Sequence, residues 1–140
     1  MIRALFDTGV LISALLSPTG SPARLLTLWV QGHYELVVSP KLLDELDRVL
    51  RREKFRRYLT LSEAARFVNW LGETALSVPD PSTPAQHTAD PDDDYLIAAA
   101  RAAGVPVWVS GDRPLVAFAD PPPVVATPAA FLRPLRAGPD

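Results

Sequence analysis

The chain has 140 residues, of which 48% are hydrophobic, and a formal net charge of −2 at neutral pH. This length suits one domain with a single core, expected over residues 1–133, followed by a short tail of 134–140 that contains proline and glycine. Zero cysteines and two histidines exclude disulfides, thiolate catalysis and most zinc sites, so carboxylates are the abundant metal ligands. The sequence shows neither a membrane-spanning run nor a secretory signal, and we expect a soluble, cytoplasmic protein with no membrane partner.

Short apolar segments alternate along the chain with segments of helical periodicity. Strands are predicted at residues 2–6, 35–38, 76–78, 105–110 and 124–126. Helices are predicted at 10–16, 22–31, 41–50, 60–75 and 92–103, with a final helical turn at 128–132. Because the strands are almost continuously apolar, they indicate a mostly parallel sheet of four or five strands covered on both faces. The predicted architecture is therefore a three-layer α/β/α domain.

Charge is segregated along the chain. Seven of the fourteen basic residues fall within 48–66, and four of the sixteen acidic residues fall within 90–94, at the start of a predicted helix. The acids could cap that helix and complement its dipole, for which two would suffice. The basic run is either a solvated face or a surface that contacts RNA phosphates; its members are Arg51, Arg52, Lys54, Arg56 and Arg57, to which Arg113 is added from a later loop.

Several carboxylates are expected at one edge of the sheet. Asp7 follows the first strand and Asp112 follows the strand that ends near Ser110, while Asp94 lies in the first turn of a helix. In open parallel sheets, sites form outside the carboxyl ends of the strands. The helix of 41–50 also starts at that edge, but helical geometry alone does not separate Glu45 from Asp47, since both lie at the margin of its apolar face.

Converging carboxylates would repel one another at neutral pH unless a cation neutralises them. Magnesium prefers oxygen ligands and is often bound by a few carboxylates together with substrate phosphates. Such an ion could activate water and stabilise the charge that develops during attack on a phosphodiester. The residues alone therefore indicate a divalent-cation site with phosphodiester chemistry.

Four segments resemble the PIN-domain ribonucleases, especially the VapC-like toxins of toxin-antitoxin systems. They are residues 5–16, 39–46, 90–100 and 109–112, which occur in the order found in that family. Each segment is weakly specific by itself, whereas the ordered set is specific. The resemblance implies a PIN-like fold and a metal-dependent endoribonuclease, with an RNA substrate, a cognate antitoxin protein and a homodimer or higher homo-oligomer as partners.

The resemblance also implies roles for individual residues. Asp7, Glu45, Asp94 and Asp112 match the acidic tetrad that binds Mg²⁺ or Mn²⁺, which favours Glu45 over Asp47. Supporting positions are Thr8, Ser110, Asp92 and Asp93. Ser110 stands where the family usually has threonine, and its hydroxyl would orient a carboxylate or a metal-bound water.

Two departures from the family pattern leave a second hypothesis open. Gly9 stands where asparagine is usual, and Pro114 stands where many members have another acid. The alternative is a catalytically weak or inactive PIN-like module that binds RNA or a protein. A third class, phosphotransfer on aspartate, is disfavoured because Gly9 and Arg113 stand where such domains need an acid and a lysine.

Overall fold

A computed structural model describes residues 1–81, 91–111 and 124–136, with the side chains of 91–94 and 136 left aside. Its elements, in chain order, are β1 (Arg3–Phe6), α1 (Thr8–Leu16), α2 (Ser21–Val30), β2 (Glu35–Val38), α3 (Pro40–Leu50), a 3₁₀ turn (Glu53–Phe55), α4 (Leu61–Thr74), β3 (Leu76–Ser77), α5 (Pro91–Ala102), β4 (Val107–Val109), β5 (Val124–Ala126) and α6 (Pro128–Arg136). The predicted α/β class is confirmed.

The five strands form one sheet in the order β3-β2-β1-β4-β5, and all the neighbouring pairs are parallel. The chain first builds outward from β1 through β2 to β3, and then returns to place β4 on the other side of β1. The boundary between β1 and β4 is therefore the topological switch point, where open α/β sheets form their binding crevices.

The central strands are buried on both faces of the sheet. Leu5, Phe6, Val37, Trp108 and Val109 are all fully buried although neighbouring residues of a strand point to opposite faces. Burial on both faces explains why these strands are almost continuously apolar. The structure therefore has the three layers predicted from the sequence.

Local signals define the starts of the two helices that follow β2. Ser39 caps α3, its hydroxyl accepting a hydrogen bond from the Leu42 amide at 3.2 Å, and Pro40 occupies the first helical position. Thr60 caps α4. Its hydroxyl accepts from the Glu63 amide, and the Glu63 carboxylate accepts from the Thr60 amide, which completes a capping box.

The last helix is longer than the sequence pattern predicts. The sequence pattern predicts a single helical turn over 128–132. Instead α6 continues to Arg136 with Pro134 inside it, and Phe131 and Leu132 are buried. Leu135, beyond the expected turn, packs against the core, which favours the longer helix although Pro134 lacks the amide hydrogen that a helix interior uses. Within the described ranges, no helix has the length and apolarity needed to cross a membrane.

Candidate functional site

Asp7 and Ser110 lie side by side at the carboxyl edge of the sheet. The register pairs Phe6 of β1 with Val109 of β4, so the residues that follow them, Asp7 and Ser110, are neighbours. The Asp7 amide donates to the Val109 carbonyl at 3.1 Å, and the Ser110 hydroxyl donates to Asp7 Oδ2 at 2.5 Å. Ser110 is almost fully buried, whereas Asp7 is half-buried. The carboxylate is thus held in one orientation at the switch point.

Asp7 also caps helix α1. Its Oδ1 accepts a hydrogen bond from the Val10 amide at 2.8 Å. Capping alone explains an aspartate at this position, but it does not explain the buried Ser110 hydroxyl that donates to the second oxygen. Both carboxylate oxygens of Asp7 are therefore held in place by donors from different segments.

Glu45 projects from the flank of α3 and meets a tyrosine from α5. The Tyr95 hydroxyl donates a short hydrogen bond to Glu45 Oε2. Asp47, which helical geometry could not distinguish from Glu45, is instead ion-paired with Arg51 one turn later, at 3.0 Å. Glu45 therefore faces α5 and the sheet edge, whereas Asp47 is engaged on its own helix.

Tyr95 connects Glu45 with the residue next to Asp7. Burial, the hydrogen bond to Glu45 and the negative charge of Glu45 raise the pKa of the Tyr95 phenol far above its usual range, so the phenol is protonated at neutral pH. The nearby Thr8 hydroxyl has a smaller, opposing effect on that pKa. Thr8 is buried, and its oxygen makes no well-aligned hydrogen bond within the described part of the chain. Asp7, Thr8, Tyr95 and Glu45 thus lie as a group, in which Tyr95 and Glu45 are hydrogen-bonded and Thr8 lies near Tyr95.

The start of α3 adds a second layer around this group. Asp80, just after β3, accepts a hydrogen bond from the Lys41 amide at 2.8 Å and so satisfies a donor in the first turn of the helix. The Lys41 ammonium lies 4.5 Å from the centroid of the Tyr95 ring, a cation–π contact. The sequence pattern did not single out Tyr95 or Asp80. An apolar segment hides Tyr95, and Asp80 precedes a proline-rich loop.

An open cavity of about 360 Å³ lies beside Asp7. It is bounded by helix α1 and by the residues that follow β4 and β5, and its lining is Asp7, Gly9, Val10, Ser13, Pro22, Gly111 and Pro128. A Cβ atom on Gly9 would lie 3.6 Å from Asp7 Oδ1, which is ordinary contact. The glycine therefore widens the approach to Asp7, and a larger side chain at this position would border the carboxylate.

The remaining predicted ligands lie beyond what the structure describes. Asp92, Asp93 and Asp94 are in the first turn of α5, but their side chains are among those left aside. Asp112, Arg113 and Pro114 lie outside the described residues. Among the described side chains there is accordingly no group of three acidic or imidazole ligands. Two members of the predicted tetrad, Asp7 and Glu45, are placed by the structure.

The side chains of the basic run differ in their contacts. Arg51 pairs with Asp47, and the half-buried Arg56 donates to the Leu50 carbonyl, so both support the end of α3. Arg52, Lys54 and Arg57 are exposed. The Lys54 ammonium lies over the Phe55 ring at 5.1 Å, and the Arg57 guanidinium lies 5.9 Å from the ring of Tyr58, whose exposed fraction is 62%. Three cations are therefore available on this surface for an anionic ligand.

The chemistry of the donors at the sheet edge suits a hard divalent cation. The described candidates are carboxylate and hydroxyl oxygens, which are the ligands that Mg²⁺ and Mn²⁺ take in proteins. Asp7 has a fixed orientation, Thr8 contributes a buried hydroxyl without a well-aligned partner in the described part, and Glu45 adds a second carboxylate. These residues fit such an ion.

A family model described as the PIN domain matches residues 3–114 of the chain. Among curated proteins, the uncharacterized protein MJ1680 of Methanocaldococcus jannaschii is 27% identical over 119 residues, which cover 85% of this chain and 76% of that protein. PIN domains are generally nucleases.

Two solved structures have a similar fold. PAE2754 from Pyrobaculum aerophilum superposes with a TM-score of 0.60 at 16% identity, covering 97% of this chain and 90% of its own. VapBC2 from Rickettsia felis, solved bound to a DNA fragment from their promoter, gives 0.61 at 10% identity, covering 90% of this chain and 98% of its own. At these identities the likeness concerns the fold. Since the family model spans most of the sequence, the chain belongs to the PIN-domain family.

Proposed function

We propose that this protein is a divalent-metal-dependent endoribonuclease and the toxin component of a type II toxin-antitoxin system. The observation that carries the proposal is a pair of oriented carboxylates: Ser110 donates to Asp7 at the switch point, and Tyr95 donates to Glu45. A fold in which nuclease activity is general supports the same chemistry. Asp94 and Asp112 complete the proposed ligand set.

In the proposed reaction, the acidic residues hold Mg²⁺ or Mn²⁺, which would neutralise charge that develops on the scissile phosphate and lower the pKa of water. Asp7 is already aligned by Ser110 and by the Val10 amide, so little reorganisation is needed when the ion binds. Glu45 supplies the second carboxylate. The cavity beside Asp7 gives the RNA backbone access to this edge, and Arg52, Lys54 and Arg57 attract its phosphates.

An antitoxin partner is proposed from the architecture. VapBC2, which has a similar fold, was solved on DNA of its own promoter. By analogy, we propose that a cognate antitoxin covers the acidic edge of this chain and that the toxin forms a homodimer or higher homo-oligomer. The antitoxin would place a basic side chain where the metal and the phosphate otherwise bind, because only a cation relieves the repulsion there.

The proposal is tested by comparing Glu45→Gln with Asp47→Asn in an RNA cleavage assay at fixed Mn²⁺. The two substitutions remove one charge each from the same helix. Loss of the hydrogen-bond partner of a metal ligand typically costs roughly 10–100-fold in activity. Loss of Glu45, which is itself a proposed ligand, should lower cleavage by at least as much. Asp47→Asn is the matched control, because Asp47 pairs with Arg51, and should leave cleavage nearly unchanged. Equal activity of the two variants would contradict the assignment.

The second candidate function is a PIN-like module that binds RNA or protein without cleaving it. Gly9 favours it, because the family's asparagine would lie against Asp7 and its amide is missing here. Calorimetric titration with Mn²⁺ separates the two functions. An inactive site should bind the ion poorly, and Gly9→Asn should then strengthen binding, whereas a complete site should gain little.

A further inference from the structure

Tyr95 is a buried residue whose one polar side-chain atom, the hydroxyl oxygen, contacts the proposed site. It comes from α5, and its hydroxyl reaches across to Glu45 on α3. Only 3% of its surface is exposed, so the ring has little room to change its rotamer. The Lys41 ammonium over the ring, 4.5 Å from its centroid, closes the side that faces α3. The phenol is therefore presented to Glu45 in a fixed direction.

Glu45 by itself has no such constraint. It is half-buried on the flank of α3, and a glutamate side chain has several rotamers of similar energy, so ordering it costs conformational entropy. Within the described residues, the Tyr95 hydroxyl is the hydrogen-bond donor to its carboxylate, and it occupies Oε2. The other oxygen, Oε1, accepts no hydrogen bond from those residues.

We propose that Tyr95 is a positioning residue that fixes the Glu45 carboxylate, holding Oε2 and leaving Oε1 for the cation. The inference rests on the proposed function for the role of Glu45 as a ligand, while the hydrogen bond itself is independent of that role. Because the phenol donates one hydrogen bond and carries no charge, it orients the carboxylate without neutralising it. An arginine or lysine at this position would instead compete with the metal ion.

Tyr34 provides a matched control for the loss of a buried phenol. It is 1% exposed, and its hydroxyl donates to the Leu25 carbonyl at 2.6 Å, so Tyr34→Phe removes an equally buried hydroxyl and one hydrogen bond. Its contacts are with the core aromatic residues Phe6 and Phe131 instead of with Glu45. Any effect of Tyr95→Phe that Tyr34→Phe does not share is due to the position of Tyr95.

The first experiment is calorimetric titration with Mn²⁺. Tyr95→Phe should weaken Mn²⁺ binding about tenfold, as expected for loss of a hydrogen bond to a ligand, and Tyr34→Phe should leave binding unchanged. Because the substitution impairs only the orientation of Glu45, RNA cleavage by Tyr95→Phe should recover as the Mn²⁺ concentration is raised. A folding defect would not be reversed in this way. Mn²⁺ affinity equal to that of the unaltered protein would overturn the proposal.

The second experiment is a double-mutant cycle on the metal-free protein, which uses urea unfolding of Tyr95→Phe, Glu45→Ala and the double variant. If the two side chains act together, Tyr95→Phe should change the unfolding equilibrium constant about fivefold less in the Glu45→Ala background. Additive effects would overturn the positioning role. Failure of the unaltered protein to bind Mn²⁺ would overturn the proposed function instead, and the cycle alone would then decide whether Tyr95 fixes Glu45.

Discussion

The Asp7 carboxylate has two separate tasks in the fold. One oxygen caps α1 through the Val10 amide, and the other accepts the hydroxyl of Ser110 from the neighbouring strand. The first bond stabilises a helix, whereas the second fixes the direction of a carboxylate. The two tasks can be separated experimentally, because Ser110 can be altered without touching the cap.

We predict that Ser110→Ala lowers metal-dependent activity while the protein stays folded. Removal of the hydroxyl leaves Asp7 in place but less well oriented, and loss of such an outer-shell bond typically costs about 10–100-fold in metal affinity or activity. Ser110→Thr keeps a hydroxyl and should retain more activity. RNA cleavage and Mn²⁺ titration measure both variants. If Ser110→Ala binds Mn²⁺ as tightly as the unaltered protein, the orienting role is wrong.

At the scale of single residues, the sequence predicts an acidic residue at the end of a strand, but it predicts less well the contacts that orient its carboxylate. Asp7 could be selected because it directly follows a buried strand, whereas Ser110 was selected only through the resemblance to the PIN-domain family. Glu45 could not be separated from Asp47 by periodicity, since both flank the same apolar face. What distinguishes them is contact with α5 in one case and with Arg51 in the other. Such contacts between distant segments leave no periodic signal.

Among the secondary-structure elements, α4 begins with a complete capping box. Thr60 and Glu63 exchange hydrogen bonds between side chain and backbone at 3.0 and 2.8 Å. Thr60→Ala should lower the free energy of unfolding by about 1 kcal/mol, because it leaves one amide of the first turn without its partner. Urea unfolding measures the change, and no loss of stability would show that water replaces the cap.

The same cap predicts a dependence of stability on pH. The hydrogen bond from the Thr60 amide, and then the contact with the Thr60 hydroxyl, lower the pKa of Glu63 below its usual 4.5. Because the folded-state pKa is the lower one, the charged form stabilises the fold above that usual value, and this contribution is lost as the pH falls through the folded-state pKa. Glu63→Gln keeps the capping geometry but does not titrate. Its unfolding free energy should fall less steeply with acid than that of the unaltered protein.

Element boundaries were predictable where a local signal marks them. Ser39-Pro40, Thr60 and Gly104 mark two helix starts and one helix end, and Gly104 has a φ of +68°, which suits a glycine that terminates a helix. The length of α6 was not predictable from its prolines. There Leu135 packs against the core beyond Pro134, and such packing depends on the whole fold.

At the scale of the whole molecule, the near-neutral net charge conceals two regions of opposite sign. Asp7 follows β1 at the carboxyl edge and Glu45 projects from the flank of α3, while exposed basic residues follow α3. The spacing of charged residues in the sequence predicts this division. It does not predict that Arg51 and Arg56 are held by contacts within the protein.

This arrangement predicts salt-dependent RNA binding. Combining Arg52→Ala with Arg57→Ala should weaken binding of single-stranded RNA. It should also reduce the slope of log K against the logarithm of the salt concentration by up to about 1.4, since each phosphate contact contributes about 0.7. Fluorescence anisotropy without added divalent metal, in a Glu45→Gln background that slows cleavage, gives the slope. Arg133→Ala, an exposed arginine on α6, is the control. An unchanged slope would show that RNA binds elsewhere.

The central claim is that the carboxyl edge of the sheet holds a divalent cation between Asp7 and Glu45. Crystals soaked in Mn²⁺, with the ion located by its anomalous scattering, test that claim most directly. The predicted result is an ion in direct contact with a carboxylate oxygen of Asp7 and with Oε1 of Glu45, while Tyr95 still donates to Oε2. The absence of an ion at this edge, or an ion bound without either carboxylate, would contradict the account.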